Sequence, residues 1–183
     1  MSKRQDSIVR HLTLLTVAIC MSLPVSYAQP KSIGATFSFK GIAVSYEHGL
    51  NQSDSYIDIS IHAETSEVFL YRSTLPGISG SFTWNLPICK WLSHNGNTMT
   101  FFAGPGIVAG YSKDYRRQPG GFFGLKGRVG VECSFVKNVV ISAFLSPVLG
   151  SHMEFYSNHV MMRYYKNGII YSLVPEIGIK YRF

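Results

Sequence analysis

A serine, a histidine and a carboxylate stand close together at Ser151, His152 and Glu154, with His159 a little further on. Those residue types could hydrolyse or transfer an acyl group, the serine as nucleophile, the imidazole as general base and the carboxylate orienting it. Their spacing is loose, and a few polar residues in a polar stretch meet by chance, so no enzyme activity is expected. His62 falls on the polar side of an alternating segment and reads as a hydrogen-bonding residue. His94 lies in a turn with no cysteine or second histidine at ligand spacing, so no metal site and no cofactor are expected. The glycines of "GPGIVAG" and "GLKGRVG" lie inside alternating segments and not at a strand-to-helix turn, which excludes a phosphate loop. They read as room for close packing. Counting alternation places Cys89 inward on its segment and Cys133 outward, so no disulfide between them is expected.

The elements that must hold these residues alternate with a period of two. In "YIDISIHAE", from Tyr56, the residues Ile57, Ile59, Ile61 and Ala63 share one face, and Asp58, Ser60, His62 and Glu64 the other. A helix would scatter that pattern around its axis, whereas a strand sorts it onto two faces. The same reading gives apolar sets from Ile33 to Phe39, Ile42 to Tyr46, Ile78 to Ile88, Met99 to Tyr111, Phe123 to Phe135, Val139 to Leu149 and Ile169 to Phe183. Residues 64–77 and 151–168 fit no strand and read as loops. Eight strands are therefore expected.

Their connections alternate too. "NQSDS", "SHNGN" and "VKN" are short and polar, while "TSEVFLYRSTLPG", "SKDYRRQPG" and the stretch over 151–168 are long, with Lys40-Gly41 as a tight fourth connection on the long side. Short turns at one end and longer loops at the other describe an all-β fold, an eight-stranded antiparallel up-and-down transmembrane β-barrel. A soluble lipocalin-like barrel would have its apolar face inside, and a sandwich would hide it between two sheets. The polar face decides between them. Glu47, Asp58, His62, Glu64, Lys126, Arg128, Glu132, Glu176, Lys180 and Arg182 carry both signs, so in the narrow lumen of an eight-stranded barrel they can neutralise one another as a charge network. Inward glycines at 104, 106, 110, 124 and 130 leave room for them. The outward aromatics Tyr46, Trp84, Tyr111, Phe123, Phe135, Tyr171, Tyr181 and Phe183 fall mostly near strand ends, as interface girdles do.

The N-terminus sets the compartment. Lys3, Arg4 and Arg10 precede an apolar run from Leu12 to Leu23, then "PVSYAQP". That is the pattern of a secretory signal peptide over 1–28, with cleavage after Ala28. The barrel domain then occupies 29–183. Of 17 basic and 10 acidic residues, the leader removes Lys3, Arg4, Arg10 and Asp6, leaving 14 against 9 in the mature chain. The basic residues are scattered, so no nucleic-acid partner is expected. No apolar run after the leader is long enough for a membrane helix.

"IGATFSFKGIAVSYEHGL", "FFAGPGIVAGY", "FGLKGRVGVECSFVKNVVISAFLSP" and "PEIGIKYRF" together cover most of the mature chain. In these segments the chain resembles the small outer-membrane β-barrel proteins of Bacteroidetes, of the OmpA/OmpX-like barrel superfamily. The resemblance implies insertion by the barrel assembly machinery, with the terminal strand and its Tyr181 and Phe183 as the assembly signal. It implies a monomer in the outer membrane of a Gram-negative cell, in contact with lipid and lipopolysaccharide. Arg72, Lys113, Arg116, Arg117, Arg163 and Lys166, in or beside the long loops, are the candidate contacts to lipopolysaccharide phosphates. The functional expectation is a barrel with a charge-filled lumen and a structural or surface-interaction role. A narrow ion or small-solute pore is the alternative, and a lipid A acyl hydrolase or transferase a more distant one.

Overall fold

The computed structural model describes residues 30–50, 53–65, 76–92, 97–114, 119–136, 138–155 and 159–183. The expected leader over 1–28 lies outside them, as do His94, Arg72, Arg116 and Arg117. Ten strand segments follow in order: β1 (Lys31–Ser38), β2 (Gly41–Leu50), β3 (Ser53–Glu64), β4 (Gly77–Leu92), β5 (Thr98–Lys113), β6 (Pro119–Val136), β7 (Val139–Leu145), β8 (Val148–Phe155), β9 (Val160–Tyr164) and β10 (Glu176–Arg182). A short helix α1 (Lys166–Ile170) and a 3₁₀ turn (Tyr171–Leu173) lie between the last two.

Every pairing is antiparallel, each of β1 to β6 pairs with the next, and β10 closes the ring against β1, Phe37 standing opposite Ile177 and Ser32 opposite Arg182. The ten segments make eight staves. β7 and β8 both pair with β6, Val139 to Leu145 along its C-terminal half and Val148 to Glu154 along its N-terminal half. They are one strand broken at Ser146-Pro147, where proline offers no N–H to a ladder. β9 and β10 are likewise one stave: β9 pairs with β8 and β10 with β7.

The polarity is inverted relative to a soluble protein. Seven hydrophobic residues are buried among the described residues, against 23 polar or charged ones. Ile33, Ile42, Val44, Ile61, Ile78, Trp84, Ile107, Leu125 and Ile179 lie exposed on the outer wall. A mainly polar interior within a closed wall of exposed aliphatic and aromatic side chains leaves the outside suited only to hydrocarbon. Inverted polarity on a ring without edges also excludes the lipocalin and sandwich readings.

The turn between β1 and β2 takes Phe39 and Lys40 alone. Gly41 follows with φ 155°, and a Cβ there would lie 2.0 Å from the carbonyl oxygen of Ala63, so the position admits only glycine. The Lys40 N–H donates to Ser38 Oγ at 3.1 Å, and the Thr65 N–H to the Lys40 carbonyl at 2.9 Å.

Three sequence expectations change. The stretch over 151–168, expected as a loop, contains the end of β8, all of β9 and the start of α1. Residues 169–173, expected to begin the last strand, are helical, because Tyr165, Asn167 and Gly168 turn inward and are buried. Cys89, expected inward, is exposed on the outer face. A bulge between Pro87 and Cys89 inserts one residue, so Cys89 stands opposite the outward Phe101. One extra residue flips the parity of everything after it, which is why Lys90 points inward and reaches Asp54 at 2.6 Å. Cys89 and Cys133 are both free thiols, on strands separated by β5.

Candidate functional site

The middle of the lumen is a layer of ion pairs and rings. β10 supplies Lys180, whose ammonium binds Glu132 Oε1 of β6 at 2.5 Å and also Glu47 Oε1 of β2. The Tyr56 hydroxyl donates to Glu132 Oε1 at 2.6 Å, and Ser32 Oγ donates to Glu47 Oε2 at 2.6 Å. Beside it, Arg128 Nη1 meets Asp58 Oδ2 at 2.8 Å, both side chains almost fully buried. Phe102, with 0% exposure, holds its ring 6.2 Å from Tyr56 and 6.4 Å from Phe144. The Arg128 guanidinium lies 3.8 Å from the Phe144 centroid and 5.7 Å from that of Phe102. Stacked guanidinium and ring faces attract through the ring quadrupole, more strongly where water is excluded.

These residues meet because inward positions on different staves share a level: Glu47 stands opposite Asp58, and Glu132 opposite Thr100. Room for them comes from small neighbours. At Gly130 a Cβ would fall 2.3 Å from Phe144 Cβ, and at Gly104 it would fall 2.1 Å from the Trp84 carbonyl oxygen. Glu47, Asp58 and Glu132 face Arg128 and Lys180, and Lys126, one turn of the pleat away on β6, evens the count. Long charged side chains could not be housed this deep without such pairing.

Two compartments flank this layer. Towards the end that carries Pro30 and Phe183, a polar vestibule of about 720 Å³ is lined by Glu47, Ser55, Tyr56, Lys90, Glu132 and Arg182, among others. Towards the other end, Tyr165 drops into the barrel and stacks on Phe122 with ring centroids 4.4 Å apart and planes 13° from parallel. Val108 and Val148 complete that apolar cluster. The Asn167 N–H donates to Asp114 Oδ1 and its Nδ2 to the Lys113 carbonyl, both at 2.9 Å, which ties the start of α1 to the end of β5. Below Tyr165, Lys126 Nζ donates to Ser81 Oγ at 2.9 Å and lies 3.2 Å from His62 Nε2. His62 also lies 3.0 Å from Ser60 Oγ and 3.1 Å from Ser81 Oγ. Glu176 receives Lys40 Nζ at 3.5 Å.

Nine of the ten residues expected in the lumen network therefore lie inside the barrel. Arg182 does not: it is exposed at the rim, where it lines only the vestibule mouth. Of the acyl-transfer candidates only His152 and Glu154, both buried, are brought together. Ser151 stands opposite the outward Phe123, whereas His152 points inward with no exposure, and His159 is exposed beyond β8. His152 Nε2 lies 3.1 Å from the Ser112 carbonyl oxygen, and Nδ1 lies 4.0 Å from Glu154 Oε1. No group of three or more potential metal ligands forms among the described residues. Of the loop cations, Lys113 ends β5 and Lys166 is exposed on α1. Arg163, expected in a loop, belongs to β9, opposite the inward His152, with its Nε 2.9 Å from Met161 Sδ.

Sequence reading passed over the inward aromatics Tyr56, Phe102, Phe122, Phe144 and Tyr165. For Phe102, Phe122 and Phe144 the signal was present, since each shares parity with inward residues of its own strand. Tyr165 carried none, because its inward turn depends on the break in the eighth stave.

An apolar closed wall around an ion-paired, ring-capped interior defines a transmembrane β-barrel with a filled lumen. No protein-family model matches the chain, and no curated protein matches it. Among solved structures, a major outer membrane protein from Thermus thermophilus is similar over 86% of this chain and 100% of its own, at 10% identity and a TM-score of 0.44.

Proposed function

We propose that the chain is an outer-membrane barrel of the small OmpA/OmpX-like kind, exported by a cleaved leader, whose lumen is closed and whose role is structural or one of surface contact. The observation that carries this reading is the central layer: Phe102 has no exposure, and the two ion-pair groups span the lumen around it. A hydrated ion crossing there would have to part Arg128 from Asp58 or Lys180 from its two carboxylates, and an isolated charge left in that interior costs several kcal/mol. Planar-bilayer recording tests it. Purified protein should give no steady unitary current, and a steady current that changes on neutralising Arg128 and Glu132 would establish the narrow-pore alternative instead.

The exposed aliphatic wall supports contact with outer-membrane lipid and a monomeric barrel. Lys113 and Lys166, at the end away from Phe183, are proposed to meet lipopolysaccharide phosphates. Loss of low-salt retention on lipopolysaccharide vesicles when both are changed to glutamine is what that contact requires. Tyr181 and Phe183 are proposed as the assembly signal read by the barrel assembly machinery, since both are exposed, Tyr181 on the strand that closes the ring and Phe183 one residue beyond its end. Phe183→Ser should lower the outer-membrane level of the protein, measured by quantitative blotting of membrane fractions. Unchanged levels would remove Phe183 from that role.

A further inference from the structure

The outer wall is not evenly covered by side chains. Across β4, β5, β6 and β8 a depression of about 630 Å³ lies between Phe82, Ile107 and Leu125, and Gly80 opposite Ala109 forms its floor. A second depression of about 480 Å³ adjoins it, where Pro105 and Gly127 are the next outward residues after Ile107 and Leu125. Together they make an apolar track on the outer face of β5. From Ala103 to Ala109 it runs about 20 Å, at roughly 3.3 Å per residue.

Packing within the protein does not explain Gly80. At every other described glycine an added Cβ would meet an atom within 4 Å, whereas at Gly80 it would meet none. A glycine inside a strand marks a bulge or the close approach of another molecule, and the pairing of β4 keeps its register on both sides of Gly80. The two ends of the track say what approaches. Ala103, at the inner end, follows Phe102 of the central layer, at the depth of hydrocarbon. At the outer end the same face of β5 continues with Tyr111, which is exposed, and then Lys113. No carboxylate pairs with Lys113 among the described residues, and Asp114, next in the chain, turns inward to accept the Asn167 N–H. An apolar track, an aromatic hydroxyl above it and an ammonium at the rim match a lipid with an anionic head. Inside a bilayer every apolar surface is already covered, so selection comes from van der Waals fit and polar contacts.

We infer that the track seats an acyl chain of one lipopolysaccharide molecule, whose phosphate pairs with Lys113. The inference rests on the lipopolysaccharide contact proposed above and deepens it by naming where the lipid part lies. Lipopolysaccharide is the source because Lys113 stands at the end away from Phe183, which that reading places in the outer leaflet.

Native mass spectrometry of the full-length barrel released from dodecyl maltoside, with bis-phosphorylated lipid A as probe, tests this. Wild type should retain one lipid A. Gly80→Phe, which fills the floor of the track from a position where the Cβ meets no protein atom, should hold it about tenfold more weakly. Ala109→Phe should do the same, and Lys113→Gln should also lose about tenfold. Ile179→Phe adds bulk to the exposed face of β10, across the barrel, and should bind as wild type does. Heat-modifiable gel migration verifies that each variant is folded. Wild-type retention by the two track variants, or an equal loss in Ile179→Phe, would overturn the seat. Loss in Lys113→Gln alone rejects the track and keeps the phosphate contact, whereas no adduct on wild type rejects both. Displacement by an equimolar amount of phosphatidylglycerol would overturn the assignment to lipopolysaccharide.

Discussion

Arg128→Met is expected to destabilise the barrel by about 3–5 kcal/mol, because it leaves Asp58 buried at 1% exposure with no counter-ion. The variant also removes the guanidinium that packs against the Phe144 ring and near that of Phe102, so part of the loss is packing. Equilibrium urea unfolding in lipid vesicles would measure it, with the outward Trp84 as the fluorescent reporter. The sharper version adds Asp58→Leu. Replacing both members of a buried pair by apolar groups is often close to neutral, so the double variant should recover most of the lost stability. A double variant as unstable as the single one would mean that the pair contributes mainly through its contacts with the rings, and the electrostatic account of this layer would fail.

Phe102→Ala should cost a comparable amount, about 3–5 kcal/mol, through the cavity left where the ring stood. Its second effect is functional. The ring touches Tyr56, Phe144 and Arg128, and its removal joins the vestibule below to the space around Lys126 above. Planar-bilayer recordings of the variant should then show unitary currents that wild type lacks. Phe102→Leu, which keeps most of the volume, should remain closed. Silence from the alanine variant, once its folding is verified by gel migration, would show that the ion pairs close the lumen without help from the ring.

Most of the barrel was legible because an eight-stranded closed wall constrains every residue to one of two faces. "YIDISIHAE" states both faces in one line, and Glu47 and Lys180 both read as inward. What escaped the reading has physical causes that parity cannot express. A proline in a strand removes one ladder hydrogen bond, and the bulge that follows Pro87 reversed the side on which Cys89 lies. Alternation over Ile169, Tyr171 and Leu173 looked like more of the last strand, yet the same spacing also suits a short helix with Ile169, Ile170 and Leu173 exposed. What decides is Tyr165, which gains a stacked ring and a buried hydroxyl environment by leaving the wall. That is a contact between distant segments, and no local pattern announces it. Within the candidate site, the charged members were visible as inward residues of both signs. Their partners were not, because which carboxylate meets which cation depends on the stagger between staves.

The unequal staves have a consequence for the bilayer itself. β1 has 8 residues and β6 has 18. At about 3.3 Å per residue and a tilt near 40°, these reach roughly 20 Å and 45 Å along the barrel axis, against an apolar band of about 25 Å. One side of the molecule is therefore shorter than the hydrocarbon it must match, and the exposed Ile169, Ile170 and Leu173 cover only part of the deficit, with side chains rather than with strand. Hydrophobic mismatch concentrated on one sector thins the adjoining leaflet and lowers the order of its acyl chains there, so the lipids beside the broken stave are the ones most ready to leave their layer.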